Sequence, residues 1–303
     1  MSAAEAAAAP ATAALEVDDL HTCFFTAAGV VKALNGVSLR VEPGRMLGLV
    51  GESGAGKTTL AHSIMRVVPP PGRVVRGSTV LFGRDLQKLS EDELRNLRGK
   101  EIAMIVPNPR AELNPLLSIG EQLANVARAH LRLEKRAARE RAVEMLAQVK
   151  IPDPKRRADA YPHELSGGMA QRVVIAMALI AEPRVTISDD ATSGLDVTVQ
   201  AQVLDLTLSL LRDHGSASLM ITRDLGIVAN YCDHVAVLYR GRVLESADVR
   251  SFFASPRHPY SIELLSAFSY EPRGEAAAPS LPYDAEELEM REVAPGHLVR
   301  DVA

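Results

Sequence analysis

The residues best equipped for chemistry lie in Gly51-Glu-Ser-Gly-Ala-Gly56-Lys57-Thr58, where spaced glycines precede a lysine and a hydroxyl side chain. Glycines at this spacing let backbone N–H groups curl around phosphate oxygens, and a helix opening at the lysine adds its partial positive charge. Lys57 is then expected to reach the β- and γ-phosphates of a nucleotide such as ATP, and the Thr58 hydroxyl to reach Mg²⁺. Gly51, Ser53, Gly54, Gly56 and Thr59 complete the expected phosphate-binding set. The pattern carries weight only between a strand and a helix. Residues 46–50 are β-leaning and residues 60–67 have helical spacing, so the context is met.

The surrounding elements alternate in type. Short β-leaning runs occur at 37–41, around 78–82, and at 185–188, 219–222 and 235–239; helical spacing covers 165–180 and 199–212. Strands alternating with helices predict an α/β fold with a mostly parallel sheet. Residues 90–162 interrupt the alternation. Ser90 with Glu93 forms a capping-box pattern, and 121–149 reads as one helix closed by Pro152 and Pro154, so an inserted helical subdomain is expected there. The alanine-rich residues 1–14 read as a disordered leader, 15–255 as the main domain, and 256–303 as an extension without clear periodicity, taken as a peripheral tail.

Composition narrows the field. With 47% apolar and 24% charged residues the chain suits a soluble globular protein, and a formal charge of −4 gives no overall sign of a nucleic-acid partner. Cys23 and Cys232 are the only cysteines, which leaves no disulfide framework or metal cluster to assemble. Cys232 reads as a buried small apolar residue, His163 as a packing or capping residue, and the charges of 135–141 as a solvated helix face. No run approaches the roughly 20 apolar residues needed to span a bilayer.

A second motif is more specific than the first. Leu165-Ser-Gly-Gly-Met-Ala-Gln-Arg172 resembles the signature of the ABC ATPases. The resemblance implies a RecA-like P-loop NTPase core with an antiparallel β subdomain. It also implies that Ser166, Gly167 and Gly168 grip the γ-phosphate held by a partner subunit. Val185-Thr-Ile-Ser-Asp189 resembles the Walker B strand, with Asp189 on the Mg²⁺ shell, and Ser193-Gly-Leu-Asp196 resembles the D-loop that crosses the dimer interface. Phe24, with Phe25 as the alternative, stands where the family stacks an aromatic on adenine. Asn114-Pro-Leu-Leu-Ser-Ile-Gly-Glu-Gln122, Asp196-Val-Thr-Val-Gln-Ala-Gln202 and Pro256-Arg-His-Pro-Tyr260 resemble the ATP-binding subunits of oligopeptide, dipeptide and nickel importers. Arg291-Glu-Val-Ala-Pro-Gly-His297 is similar to the end of their C-terminal extension, here shortened and without the cysteine cluster many relatives carry.

Three positions depart from that pattern. Pro107 replaces the glutamine that ligates Mg²⁺ and orients water, although Asn108 could serve if the loop shifts by one residue. Asp190 replaces the catalytic glutamate and is shorter by one methylene, about 1.5 Å of reach. Arg223 replaces the switch histidine and cannot accept a hydrogen bond. Thr186 and Ser188 also stand where the Walker B strand is usually apolar. The resemblance therefore implies a subunit that binds Mg-ATP at a hydrolysis-deficient site and lends its signature to a competent partner, the alternatives being a fully hydrolytic ABC ATPase subunit or a non-transport regulatory ABC ATPase. The partners implied are a second ATP-binding subunit, two transmembrane permeases and, indirectly, an extracytoplasmic substrate-binding protein. The implied location is the cytoplasmic face of a membrane.

Overall fold

Alternating apolar and polar residues build an antiparallel pair from the first two strands, β1 (Leu15–Thr26) and β2 (Gly29–Val41). The computed structural model describes residues 13–192, 194–268 and 289–301. Strand β3 (Met46–Val50) is buried at every residue and leaves this sheet, running through the glycine loop into α1 (Lys57–Ile64). Strands β4 (Gly72–Leu81) and β5 (Arg84–Asp85) return to it, giving the order β2-β1-β4-β5. The strand pair expected around 78–82 is thus present, and the long β1, not foreseen in the sequence, lies at its centre.

Helix α2 (Glu91–Leu97) opens with the predicted capping box of Ser90 and Glu93, and β6 (Ile102–Ile105) follows. The helical insert then comprises α3 (Pro109–Glu112), α4 (Ile119–Leu131), α5 (Lys135–Gln148) and α6 (Pro154–Arg157), leading to α7 (Gly167–Leu179). The single helix expected over 121–149 is two. Arg132 ends α4 in the left-handed region at φ 55°, and the chain reverses so that α5 packs back on α4. Strong helix formers on both sides hid that break, because no glycine marks it.

Strand β7 (Val185–Asp189), α8 (Val197–Asp213), β8 (Ala217–Ile221), α9 (Leu225–Tyr231), β9 (His234–Tyr239) and β10 (Arg242–Asp248) continue the α/β pattern. They are followed by α10 (Val249–Ala254), α11 (Pro259–Phe268), β11 (Met290–Ala294) and β12 (His297–Arg300). The second sheet has the order β11-β12-β10-β9-β3-β8-β7-β6. Its strands β9, β3, β8, β7 and β6 pair in parallel, whereas β10, β12 and β11 join antiparallel at one edge, so the sheet is mixed. β3, β7 and β8 are buried throughout because helices or the first sheet cover both faces. On one side Val173, Ile175 and Leu179 of α7 pack with Leu123, Met145 and Val203; on the other, Leu60 and Ile64 of α1 pack with Leu15, Leu34 and Leu49.

Both ends of the main domain extend further than expected. Ala13 and Ala14 are buried, with Ala14 bonded to Val41 and Phe82, while residues 1–12 lie outside the described set. The described part of the extension is no peripheral tail. Tyr260 of α11 is buried in a core cluster, and β12 pairs with β10 at Glu245↔Val299 and Ser246↔Leu298. Of the two hydroxyls in the Walker B-like strand, that of Thr186 is accommodated: its Oγ1 lies 3.2 Å from Ser216 Oγ.

Candidate functional site

Strand register assembles the site. In the parallel sheet Leu49 of β3 pairs with Ile221 of β8, and Asp189 of β7 pairs with the same Ile221. The segments leaving the C-terminal ends of these neighbouring strands, 51–56, 190–192 and 222–224, must therefore share one edge, the usual place for a ligand in such a sheet. The loop leaving β3 is tightly seated. A side chain at Gly51 (φ +152°) would place Cβ 2.1 Å from the Leu238 carbonyl oxygen, and one at Gly56 (φ +107°) would come 2.7 Å from that of Ala33. Only glycine fits either position.

Lys57 Nζ donates to the carbonyls of Gly51 (2.6 Å) and Glu52 (2.8 Å), holding its own loop in a curl. Burial draws its pKa below the ordinary lysine value, with Arg223 adding to the effect and Asp190, Asp189 and Glu52 opposing it. A cavity of about 340 Å³ opens beside it, lined by Ala33, Ser53, Gly54, Gly56, Lys57, Thr58, Thr59, Asp189, Asp190, Ile221 and Arg223. Phosphate-loop donors, a hydroxyl and two carboxylates thus meet around one space.

Asp189 ends β7 at 2% exposure, and burial raises its pKa against a hydrogen bond from the Thr58 hydroxyl. Its Oδ2 is buried with no partner among the described residues. A buried carboxylate oxygen without a donor, next to a hydroxyl, is what a hard divalent cation completes. Thr58 and Asp189 accordingly fit Mg²⁺.

Two of the three altered positions stand at the cavity, and one does not. Asp190 occupies the left-handed region at φ 45°, its N–H donating to Ile221 O at 2.9 Å. Its Oδ2 faces Arg223 Nη2 at 3.4 Å, with the arginine 61% exposed and the aspartate 30%. Pro107 is half-buried and outside the cavity lining, as is the exposed Asn108, which starts α3 with φ 60°. Beside them Gln171 Nε2 of α7 donates to the Val106 carbonyl at 3.4 Å.

The signature residues gather elsewhere. Ser166 caps α7 by accepting from Met169 N at 3.3 Å, and Asp196 caps α8 by accepting from Val199 N at 3.0 Å. At Gly168 a Cβ would meet Val199 Cγ1 at 2.5 Å, so the glycine allows α7 to start hard against α8. None of Ser166, Gly167, Gly168 and Asp196 lines the cavity, and Ser193 lies outside the described residues. Phe24 packs on Gly72, where an added Cβ would fall 2.6 Å from its ring; Phe25 is exposed with Arg73 stacked 4.3 Å from its centroid. Neither ring stands at the phosphate cavity.

Sequence reasoning missed Ala33, whose carbonyl presses on Gly56, and Gly241, whose N–H donates to Ala55 O at 2.8 Å. Neither carries a local signal, because each acts through its backbone from a distant segment.

The geometry agrees with comparisons to known proteins. Residues 34–193 match a family model described as ABC transporter. The chain is 46% identical over 273 residues to the oligopeptide transport ATP-binding protein OppD of Bacillus subtilis, covering 89% of this chain and 76% of that protein. It is 42% identical over 270 residues to the dipeptide transport ATP-binding protein DppD of Escherichia coli, covering 89% and 83%. The fold matches a dimeric post-hydrolysis structure of the ATP-binding cassette MJ0796 bound to ADP and Pi, with TM-score 0.69, 24% identity, and 78% of this chain and 99% of that one covered.

Proposed function

From the premise that the chain belongs to the ABC transporter family, we propose that it is the ATP-binding subunit of a peptide importer, holding Mg-ATP at a site with weakened hydrolysis. The observation that carries the reading is the split character of the cavity. Its binding half, Lys57, Thr58 and Asp189, is complete, whereas its hydrolytic half offers the short Asp190 engaged with Arg223. Peptide as the cargo class follows from the relatives, which are oligopeptide and dipeptide transport proteins.

Bound Mg²⁺ supplies charge neutralisation on the phosphates. The rest is the work of the protein's own residues. Backbone N–H groups of 51–56 cradle phosphate oxygens, Lys57 leaves its loop carbonyls to meet them, and Asp189 with Thr58 holds the cation. A water to be activated needs a base within about 2.6–3.2 Å. Asp190 carries its carboxylate one methylene, about 1.5 Å, less far than a glutamate would, and Pro107 has no side-chain group with which to orient the water. The exposed signature at Ser166 lies apart from this cavity, which supports its use on a partner subunit's nucleotide. Among the described residues no helix is long and apolar enough to cross a membrane. Attachment at the cytoplasmic face would therefore come from two permease subunits, with a substrate-binding protein supplying cargo on the far side.

The test is steady-state ATP turnover of the assembled transporter carrying Ser166→Arg in this chain. Loss of turnover is expected, because the arginine blocks the γ-phosphate grip on the partner. Turnover at the wild-type rate would overturn the asymmetric reading and place hydrolysis on this chain's own loop.

A further inference from the structure

Two segments that resemble the importer subunits, Pro256-Arg-His-Pro-Tyr260 and the stretch ending at His297, have no part in the site described above. They meet at one buried carboxylate. Glu245 on β10 is fully buried and accepts from Arg257 N at 2.8 Å, from His258 N at 2.9 Å and from the His297 ring at 2.6 Å. His258 Nδ1 accepts in turn from Tyr260 N at 3.1 Å. This clamp fixes the entry into α11 and sends the Tyr260 side chain inward at 4% exposure.

The ring lands behind the phosphate loop. Its centroid lies 4.5 Å from that of Tyr239, tilted by 46°, and both belong with Val50 to one apolar cluster. Tyr239 ends β9, and the turn that follows carries Gly241, whose N–H donates to the Ala55 carbonyl of the phosphate loop at 2.8 Å. The Gly241 carbonyl is itself held by Asn35 N at 2.8 Å. The loop is thus gripped by a turn whose apolar backing is Tyr260.

We propose that Tyr260 is a positioning residue for the phosphate loop: its ring, locked by the Glu245–His258 clamp, holds the 239–241 turn against Ala55 and keeps the loop's N–H groups aimed at phosphate. The assignment rests on the reading that this loop binds nucleotide. The hydroxyl is buried beside the backbone and carboxylate of Glu52, within the loop itself, so the assignment is made for the ring and the hydroxyl is tested separately. Removing the ring empties the space behind the turn. The C-terminal hairpin contributes through His297, which completes the partners of Glu245.

The experiment compares Tyr260→Phe, Tyr260→Leu and Tyr260→Ala in the full chain with two readouts. One is hydrogen exchange at the amides of 51–56 without nucleotide; the other is titration with a fluorescent ATP analogue and Mg²⁺, on samples shown folded by circular dichroism. Tyr260→Leu keeps apolar volume and carries the test should Tyr260→Ala fail to fold. Both ring-less variants are expected to speed exchange at 51–56 and to weaken analogue binding about tenfold through lost preorganisation, with Tyr260→Phe, which keeps the ring, the least affected of the three. A folded Tyr260→Leu with unchanged exchange and affinity would overturn the assignment, as would Tyr260→Phe as damaging as Tyr260→Leu. Faster exchange in the ring-less variants of a chain whose wild type binds no analogue would leave the brace standing and remove the nucleotide reading beneath it.

Discussion

Replacing Asp190 by glutamate should raise hydrolysis at this site more than freeing Asp190 from Arg223 does, and the structure supplies the ranking. The Asp190–Arg223 pair spans 3.4 Å, with the arginine 61% exposed. An ion pair so open to solvent is worth about 0.2–1 kcal/mol, so releasing it with Arg223→Ala returns at most about fivefold in rate. Reach matters more. The missing methylene withdraws the carboxylate by about 1.5 Å, and a misplacement of about 1 Å at a reacting group costs on the order of 10²-fold. Asp190→Glu is therefore expected to raise single-turnover hydrolysis by about 10²-fold. A slight loss of stability should accompany it, because glutamate accepts φ 45° less readily than aspartate. The assay is single-turnover hydrolysis of labelled ATP in the assembled transporter, with the phosphate-loop lysine of the proposed partner ATPase substituted so that only this site turns over. An unchanged rate in Asp190→Glu, or a larger gain in Arg223→Ala than in Asp190→Glu, would refute the reasoning.

Further outcomes concern the clamp at the C-terminal end. Glu245→Ala strips the acceptor from Arg257 N, His258 N and the His297 ring in a fully buried place; it should cost about 3–5 kcal/mol and lower the thermal midpoint by roughly 6 °C or more, and a midpoint within 2 °C or so of wild type would deny the clamp a structural role. Burial lowers the pKa of His258 below the ordinary 6.5, with Arg300 adding and Glu245 opposing. The unfolded chain therefore takes the proton more readily, so stability is complete above pH 6.5 and falls as pH drops below it toward the lowered folded value. Urea midpoints at pH 7.5 and pH 5.5 should diverge less in His258→Asn, which keeps an acceptor but does not titrate; an equal drop in both proteins would assign the acid sensitivity to other groups.

How much was legible in the sequence varied with distance along the chain. Motifs that act within one turn of backbone were readable. The glycine spacing of 51–56, the Ser90–Glu93 capping box and the helix opening at Gly167 are all signalled by neighbouring residues, although the glycine loop is seated against the distant Leu238 and Ala33 carbonyls. The same local logic failed at Arg132, where a left-handed residue splits a run of helix formers, and after Ser255, where α11 and β12 are seated by long-range contacts. It also missed the second capping box, Ser118 with Glu121, which opens α4. The trade of histidine for arginine at 223 was visible, but its ion pair with Asp190 was not, since it depends on two strands lying side by side.

By itself the amino-acid sequence offered the chemistry proposed: a glycine loop for phosphate, a lysine, a hydroxyl and carboxylates suited to Mg²⁺, a signature-like helix, and three positions that depart from the hydrolytic pattern. These are properties of residue type at short spacing, which local sterics and hydrogen bonding dictate. Tertiary structure alone decided where that chemistry is used. The register of β3, β8 and β7 gathers Lys57, Asp189, Asp190 and Arg223 around one cavity and leaves Ser166 and Pro107 outside it. Packing likewise sets Tyr260 behind the phosphate loop, because a buried ring takes whatever apolar space the fold closes around it, however far away in sequence its neighbours lie.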